Sequence, residues 1–133
     1  MRRLIAKRLV VIETPYAAPT PEGIEANLAY LRACLADSLR RNEAPFASHA
    51  QYTQPGVLDD SAPDERELGM LAGFAWGDMA DARVVYTDRG ISPGVARAIK
   101  RSEQLGQPVE YRTLASTELP MKRGPRKPDS ARI

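Results

Sequence analysis

The stretch that most constrains this chain runs from Arg83 to Arg112. Val84, Val85 and Tyr86 are a short β-branched and aromatic run, the composition of a buried strand. Thr87-Asp88-Arg89-Gly90 follows as a turn. Ser92 before Pro93 is an N-cap followed by the first helical residue, because the hydroxyl accepts a free N–H and proline has none to lose. The spacing predicts a helix to about Leu105, stopped by Gly106 and barred from resuming by Pro108. Val109–Arg112 is the next strand. A strand, a crossover helix and a second strand predict a parallel pair with a right-handed connection. Ligands of such sheets sit beyond the carboxyl ends of the strands. The loop from Asp88 to Gly94 lies there, with a carboxylate, a hydroxyl and a helix start suited to an anion.

The rest of the chain repeats the alternation. Leu9–Ile12 is a short buried strand. A proline-rich loop from Glu13 to Gly23 follows, and it cannot be helix or central strand. From Glu22 to Arg41 the apolar positions Ile24, Leu28, Leu31, Cys34, Leu35 and Leu39 mark a one-sided helix. Ala44–Ser48 is a weaker strand that delivers His49 to a long polar loop reaching Asp60. Asp64–Ala80 is a helix whose expected buried stripe is Leu68, Leu71, Ala72, Ala75, Trp76 and Met79. Gly69, Gly73 and Gly77 recur every four residues along it, a groove for close packing. The expectation is an α/β fold: a three-layer open parallel sheet of about four to five strands with helices on both faces, of Rossmann or flavodoxin-like kind. Val84–Thr87 should be its central, fully buried strand.

With 133 residues, of which 43% are hydrophobic, the chain is one domain with a core. Five of its 19 Lys and Arg but only two of its 17 Asp and Glu lie beyond residue 112. The basic balance therefore belongs to segment 113–133, read as a flexible tail with Pro120, Pro125 and Pro128. Residues 1–112 are about neutral, which argues against a nucleic-acid groove in the folded part. One cysteine, Cys34, excludes an internal disulfide and suits a reducing cytoplasm. One His and one Cys exclude an ordinary zinc site. No apolar run reaches the ~18 residues a membrane helix needs, and none suits a signal peptide.

Four loops converge at the carboxyl edge of this sheet. They bring Glu13, Thr14 and Tyr16; His49, Tyr52 and Gln54; Asp88, Ser92 and Gly94; and Tyr111 with Arg112. Glu13 and Asp88 are the carboxylates in reach of chemistry, and each also has a plain reading as a loop acid or turn cap. The acids Asp59, Asp60, Asp64, Glu65 and Glu67 read best as a solvated helix start, and no metal is expected. There is no dinucleotide G-x-G-x-x-G, no phosphate-binding P-loop and no G-x-S-x-G elbow, so no cofactor is expected either.

Ile12-Glu-Thr-Pro-Tyr16, Asn27, Phe46-Ala-Ser-His49 and Asp81 with Tyr86-Thr-Asp-Arg-Gly-Ile-Ser-Pro-Gly94 together resemble the nucleoside 2-deoxyribosyltransferase-like superfamily, most closely a small branch common in phages and actinobacteria. The likeness covers about residues 8–112. It implies that Tyr16, Ser92 and Gly94 hold a sugar and its 5′-phosphate, and that Asp88 reads the base or ribose. It also implies a homodimer or higher homo-oligomer; the Gly69/Gly73/Gly77 face and the Trp76 region, which allow close helix packing, put the Asp64–Ala80 helix and the loop around Tyr52 at or near the interface. One departure is chemical. The position of the family's catalytic glutamate falls at Ala98, and a methyl group cannot attack an anomeric carbon. Two functions stay open: an N-glycosidic hydrolase or transferase acting on a nucleoside 5′-monophosphate through Glu13 or Asp88, and a non-catalytic nucleotide-binding sensor or sequestering module.

Overall fold

In the computed structural model, residues 5–114 are described. The strands are β1 (Arg8–Glu13), β2 (Glu43–Phe46), β3 (Ala82–Tyr86) and β4 (Val109–Arg112). The helices are α1 (Pro21–Arg40), α2 (Ser48–Tyr52), α3 (Pro63–Gly77) and α4 (Pro93–Leu105). The four strands are parallel, in the order β2-β1-β3-β4. Past Leu114, the expected basic tail lies outside the described residues.

Strand β3 is central and every one of its residues is buried, as expected of Val84–Tyr86; Thr87, expected in the same strand, lies past its end and is half-buried. Pleating sends alternate side chains to opposite faces. Val10, Ile12, Ala82, Val84 and Tyr86 form a core with Leu31 and Cys34 of α1 on one face. The other face presents Val11, Glu13 and Arg83, and Gly77 of α3 lies against Val11 and Arg83. Helices thus cover both faces of an open α/β sheet.

The helix starts follow local chemistry. Thr20 Oγ1 accepts the Gly23 N–H at 3.0 Å ahead of Pro21. Ser92 Oγ accepts the Val95 N–H at 3.2 Å ahead of Pro93. Helix α4 stops at Gly106, whose φ of 73° is left-handed and costs a glycine little.

Five sequence expectations are corrected. The stretch expected to be loop from His49 begins as helix α2, and β2 ends at Phe46 because Ser48 already belongs to that helix. Helix α3 ends at Gly77, three residues before Ala80. The expected buried stripe of α3 is turned outward: Leu68, Leu71, Trp76 and Met79 are exposed, Trp76 by 61%. The buried α3 residues are Gly73, Phe74 and Gly77, so the small residues are what meet the sheet. Leu39, placed on the buried side of α1, is exposed, and the polar Asp37 and Ser38 are buried instead.

The burial of Asp37 and Ser38 has a physical reason. Asp37 accepts hydrogen bonds from Tyr86 Oη at 2.6 Å and Arg41 Nε at 2.9 Å. Ser38 Oγ donates to Glu43 at 2.8 Å, and Arg112 reaches the same carboxylate at 2.6 Å. A charged network thus ties the end of α1 to β2, β3 and β4. The guanidinium of Arg112 draws the Glu43 carboxyl below the usual range against the cost of burial.

Candidate functional site

At the carboxyl edge, on the α3/α4 face, an open cleft of about 790 Å³ leads to a recess of about 130 Å³. Tyr16, Ala17, Asp60, Arg66, Met70, Pro93 and Gly94 border both spaces. The recess is closed by Val11 and Glu13 from β1, Ser48 and His49 from α2, Phe74 from α3, and Ser92 and Ala98 from α4.

Strand β1 carries Glu13 to its own end, and the β1–β3 register sets Val11 beside Arg83 and Glu13 beside Val85. Glu13 and Arg83 therefore share one face. Arg83 Nη1 donates to Glu13 Oε2 in an ion pair whose arginine side chain is 1% exposed and whose carboxylate is 15% exposed. Burial raises the Glu13 carboxyl to about 7, more than the positive charge of Arg83 draws it down. Arg83 Nε donates to Ser102 Oγ, and its guanidinium lies 6.0 Å from the Phe74 ring centre.

The His49 ring stacks on Tyr16 with centroids 5.1 Å apart and an interplanar angle of 27°. Burial lowers the imidazole to about 4, a hydrogen bond to the Thr14 backbone opposes this, and the nearby charge of Arg66 adds to it. At neutral pH the imidazole is uncharged. The recess thus holds a neutral ring and a carboxyl raised by burial, beside the apolar side chains of Val11, Met70, Phe74 and Ala98.

Ser92, Pro93 and Gly94 bring the start of α4 to the cleft. A Cβ built on Gly94 would lie 3.9 Å from Arg66 Nη2, so this guanidinium stands over the helix start. Its carboxylate neighbour Asp60 is 4.0 Å away. Arg97 also borders the outer cleft, but it makes two 2.9 Å bonds to Glu67.

Of the residues expected at the site, Glu13, Tyr16, His49, Ser92 and Gly94 line the recess. Thr14 is buried and lines neither space, and among the described residues its Oγ1 has no hydrogen-bond partner. Tyr52 packs edge-on to Phe46 at 6.2 Å and borders a separate small hollow between α2 and α3. Asp88 is outside both linings: it accepts from Tyr30 Oη at 2.7 Å and from the Leu114 N–H at 3.0 Å. Arg112 belongs to the α1-side network, and Tyr111 is exposed. The acidic cluster is spent locally. Asp59 caps Ser61, Glu65 accepts the Asp59 N–H at 2.7 Å, and Glu67 pairs with Arg97. Among the described residues no three His, Cys, Asp or Glu converge as a metal site.

Arg66, Arg83, Phe74 and Met70 were not foreseen. Arg83 had a visible signal: a charged residue inside an otherwise apolar central strand needs a buried partner, and Glu13 closes the neighbouring strand. Arg66 had none, since its place over α4 depends on how α3 crosses the sheet.

No curated protein and no solved structure gives a match to the chain. A family model does, over residues 8–112, which takes in the whole sheet and every recess residue. The chain belongs to that family, the domain of unknown function DUF7768.

Proposed function

We propose that the cleft binds a nucleoside 5′-monophosphate. The observation that carries this reading is the convergence on one cleft of a helix start, the Arg66 guanidinium above it and the stacked Tyr16–His49 pair. The first-turn N–H groups of α4 and its positive dipole end suit a phosphate. Arg66 adds a fork of donors that match phosphate oxygens. The sugar follows into the recess beside Ala98, and the base lies toward Tyr16 and the wide outer cleft. The resemblance to nucleoside deoxyribosyltransferase-like proteins likewise implies Ser92 and Gly94 for the sugar and phosphate; it implies the same for Tyr16, which in this reading faces the base instead.

Ala98 favours binding without turnover, because it brings no carboxylate to the recess. A second reading, N-glycosidic hydrolysis, is favoured by Glu13, whose carboxyl borders the same recess. A carboxylate there would stabilise positive charge developing on the sugar ring as the base leaves. Asp88, held by Tyr30 and Leu114, is the poorer candidate. We also infer a homodimer through the exposed apolar side of α3, and a reducing cytoplasm for a chain whose one cysteine is a buried free thiol.

Calorimetric titration with purine and pyrimidine nucleosides and their 5′-monophosphates tests the binding reading. A monophosphate should bind roughly tenfold or more tighter than its nucleoside, the worth of a charge-assisted hydrogen bond. Equal affinities remove the phosphate site. Chromatography of the same mixtures for free base decides between binder and hydrolase.

A further inference from the structure

Glu13 is a carboxylate with half its capacity in use. Arg83 takes Oε2, and among the described residues no other hydrogen-bond donor reaches the group. Among the described residues the fully buried side-chain atoms without a partner are Thr14 Oγ1 and Arg83 Nη2; the second Glu13 oxygen is not one of them, and the side chain is 15% exposed. The carboxyl borders the recess, so this oxygen is open to a hydrogen-bond donor of whatever the recess admits.

We propose that Glu13 is the specificity-determining residue of the recess, accepting a hydrogen bond from a ring hydroxyl of a ribose 5′-phosphate and so favouring ribonucleotides over deoxy analogues. The proposal rests on the nucleotide reading above. A sugar, rather than a base, is the donor for a geometric reason. Ser92 caps α4 and Gly94 lies in its first turn, and Ala98 is four residues beyond Gly94, about 6 Å further along the same recess wall. A phosphate at the helix start has its own sugar as the nearest neighbour. The small Ala98 leaves room for that ring in front of Glu13.

The groups around Glu13 are Arg83 from β3, His49 from α2, Arg66 from α3, Asp60 from the loop before α3, and Tyr16 from its own loop; α4 contributes no titratable side chain there. His49 is neutral well above pH 4, and Glu13 changes charge near 7. A donated hydroxyl favours the ionised carboxyl, so preference for the ribose should rise as pH climbs through that value.

The test is titration of the wild-type protein with AMP and CMP, each beside its 2′,3′-dideoxy form, at pH 6 and pH 8. Comparing like phosphates cancels the titration of the phosphate itself. At pH 8 the ribonucleotide should bind roughly tenfold to a hundredfold tighter than the dideoxy compound, the range of hydrogen bonds to charged groups. The ratio should shrink severalfold at pH 6. Glu13→Gln should lower it and remove its pH dependence. If that variant does not fold, the ligand series on the wild type decides alone. Equal ribo and dideoxy affinities at pH 8 overturn the proposal and leave nucleotide binding standing. No binding by any of the four compounds overturns both.

Discussion

Arg83 shows how one residue joins the core of this fold to its cleft. It is fully buried on the central strand, and its charge is met by Glu13. Breaking such a pair costs more than the pair contributes, because it strands a charge in a low-dielectric interior. His49 makes a quantitative case. Its imidazole falls from the ordinary 6.5 to about 4 in the folded chain, so the unfolded chain binds the proton more tightly. Stability from His49 is therefore complete above pH 6.5 and is lost as pH falls toward 4. Glu13, raised by burial, works the other way over the same range, so the readout is the difference between wild type and His49→Gln. Between pH 7 and pH 4.5 in urea melts, the wild type should lose on the order of 2 kcal/mol relative to the variant, and parallel pH profiles would mean the ring is solvated. Ser92 has two separable roles. Ser92→Ala should cost about 1 kcal/mol through loss of the cap on Val95, and weaken a bound monophosphate about tenfold with little effect on the nucleoside. Asp88→Asn should do the opposite. It should lower stability by roughly 0.5–1.5 kcal/mol through the Tyr30 and Leu114 bonds, with ligand affinity kept. Thermal melts and titrations of both variants separate the two patterns.

At the scale of elements, α3 is where periodicity misleads. A helix with apolar residues along one side is expected to bury them. Here the glycine side is buried instead, because α3 crosses close over α2 and the sheet. A Cβ at Gly73 would meet Ser48 Cβ at 3.0 Å, and one at Gly77 would meet Arg83 Nη2 at 3.2 Å. Gly69 faces only the flexible end of Leu58, at 3.1 Å. Gly73→Ala should destabilise by roughly 1–3 kcal/mol through overpacking. Gly69→Ala should be neutral or stabilising by up to about 1 kcal/mol, since alanine is the better helix former. Denaturant midpoints of the two variants check the contrast, and equal effects would mean the close crossing is absent. The strands were legible because they are short, apolar and bounded by proline and glycine. The helix start at Ser92 was legible because capping is local chemistry, whereas the same cap at Thr20 before Pro21 was read as part of the proline-rich loop. The side on which α3 packs was not, since it depends on contacts between residues far apart in sequence. For the same reason Glu13 and Tyr16 were found as site residues and Arg66 was not: the first two follow directly from a strand end, the last from the crossing of α3 and α4.

For the molecule as a whole, the inverted α3 leaves an apolar surface without cover. Leu68, Leu71, Trp76 and Met79 are each more than half exposed, and Phe46 lies 6.1 Å from the Trp76 ring. Clustered exposed apolar side chains on a small domain mark an association surface more often than a solvated one. The cleft opens at the carboxyl edge between Tyr16 and α4, and none of these four side chains lines it. Pairing through the outer side of α3 would therefore leave the ligand's path open. A second copy meeting the first across a two-fold axis buries the same residues on both sides, which makes one substitution count twice. Light scattering at micromolar concentration should give twice the chain mass for the wild type. Trp76→Glu should give the single-chain mass with unchanged far-ultraviolet circular dichroism, because Trp76 contributes little to the core. Nucleotide affinity should survive the substitution, since Trp76 is outside both linings. A wild-type protein that stays monomeric to high micromolar concentration refutes the dimer and leaves this face for another occupant.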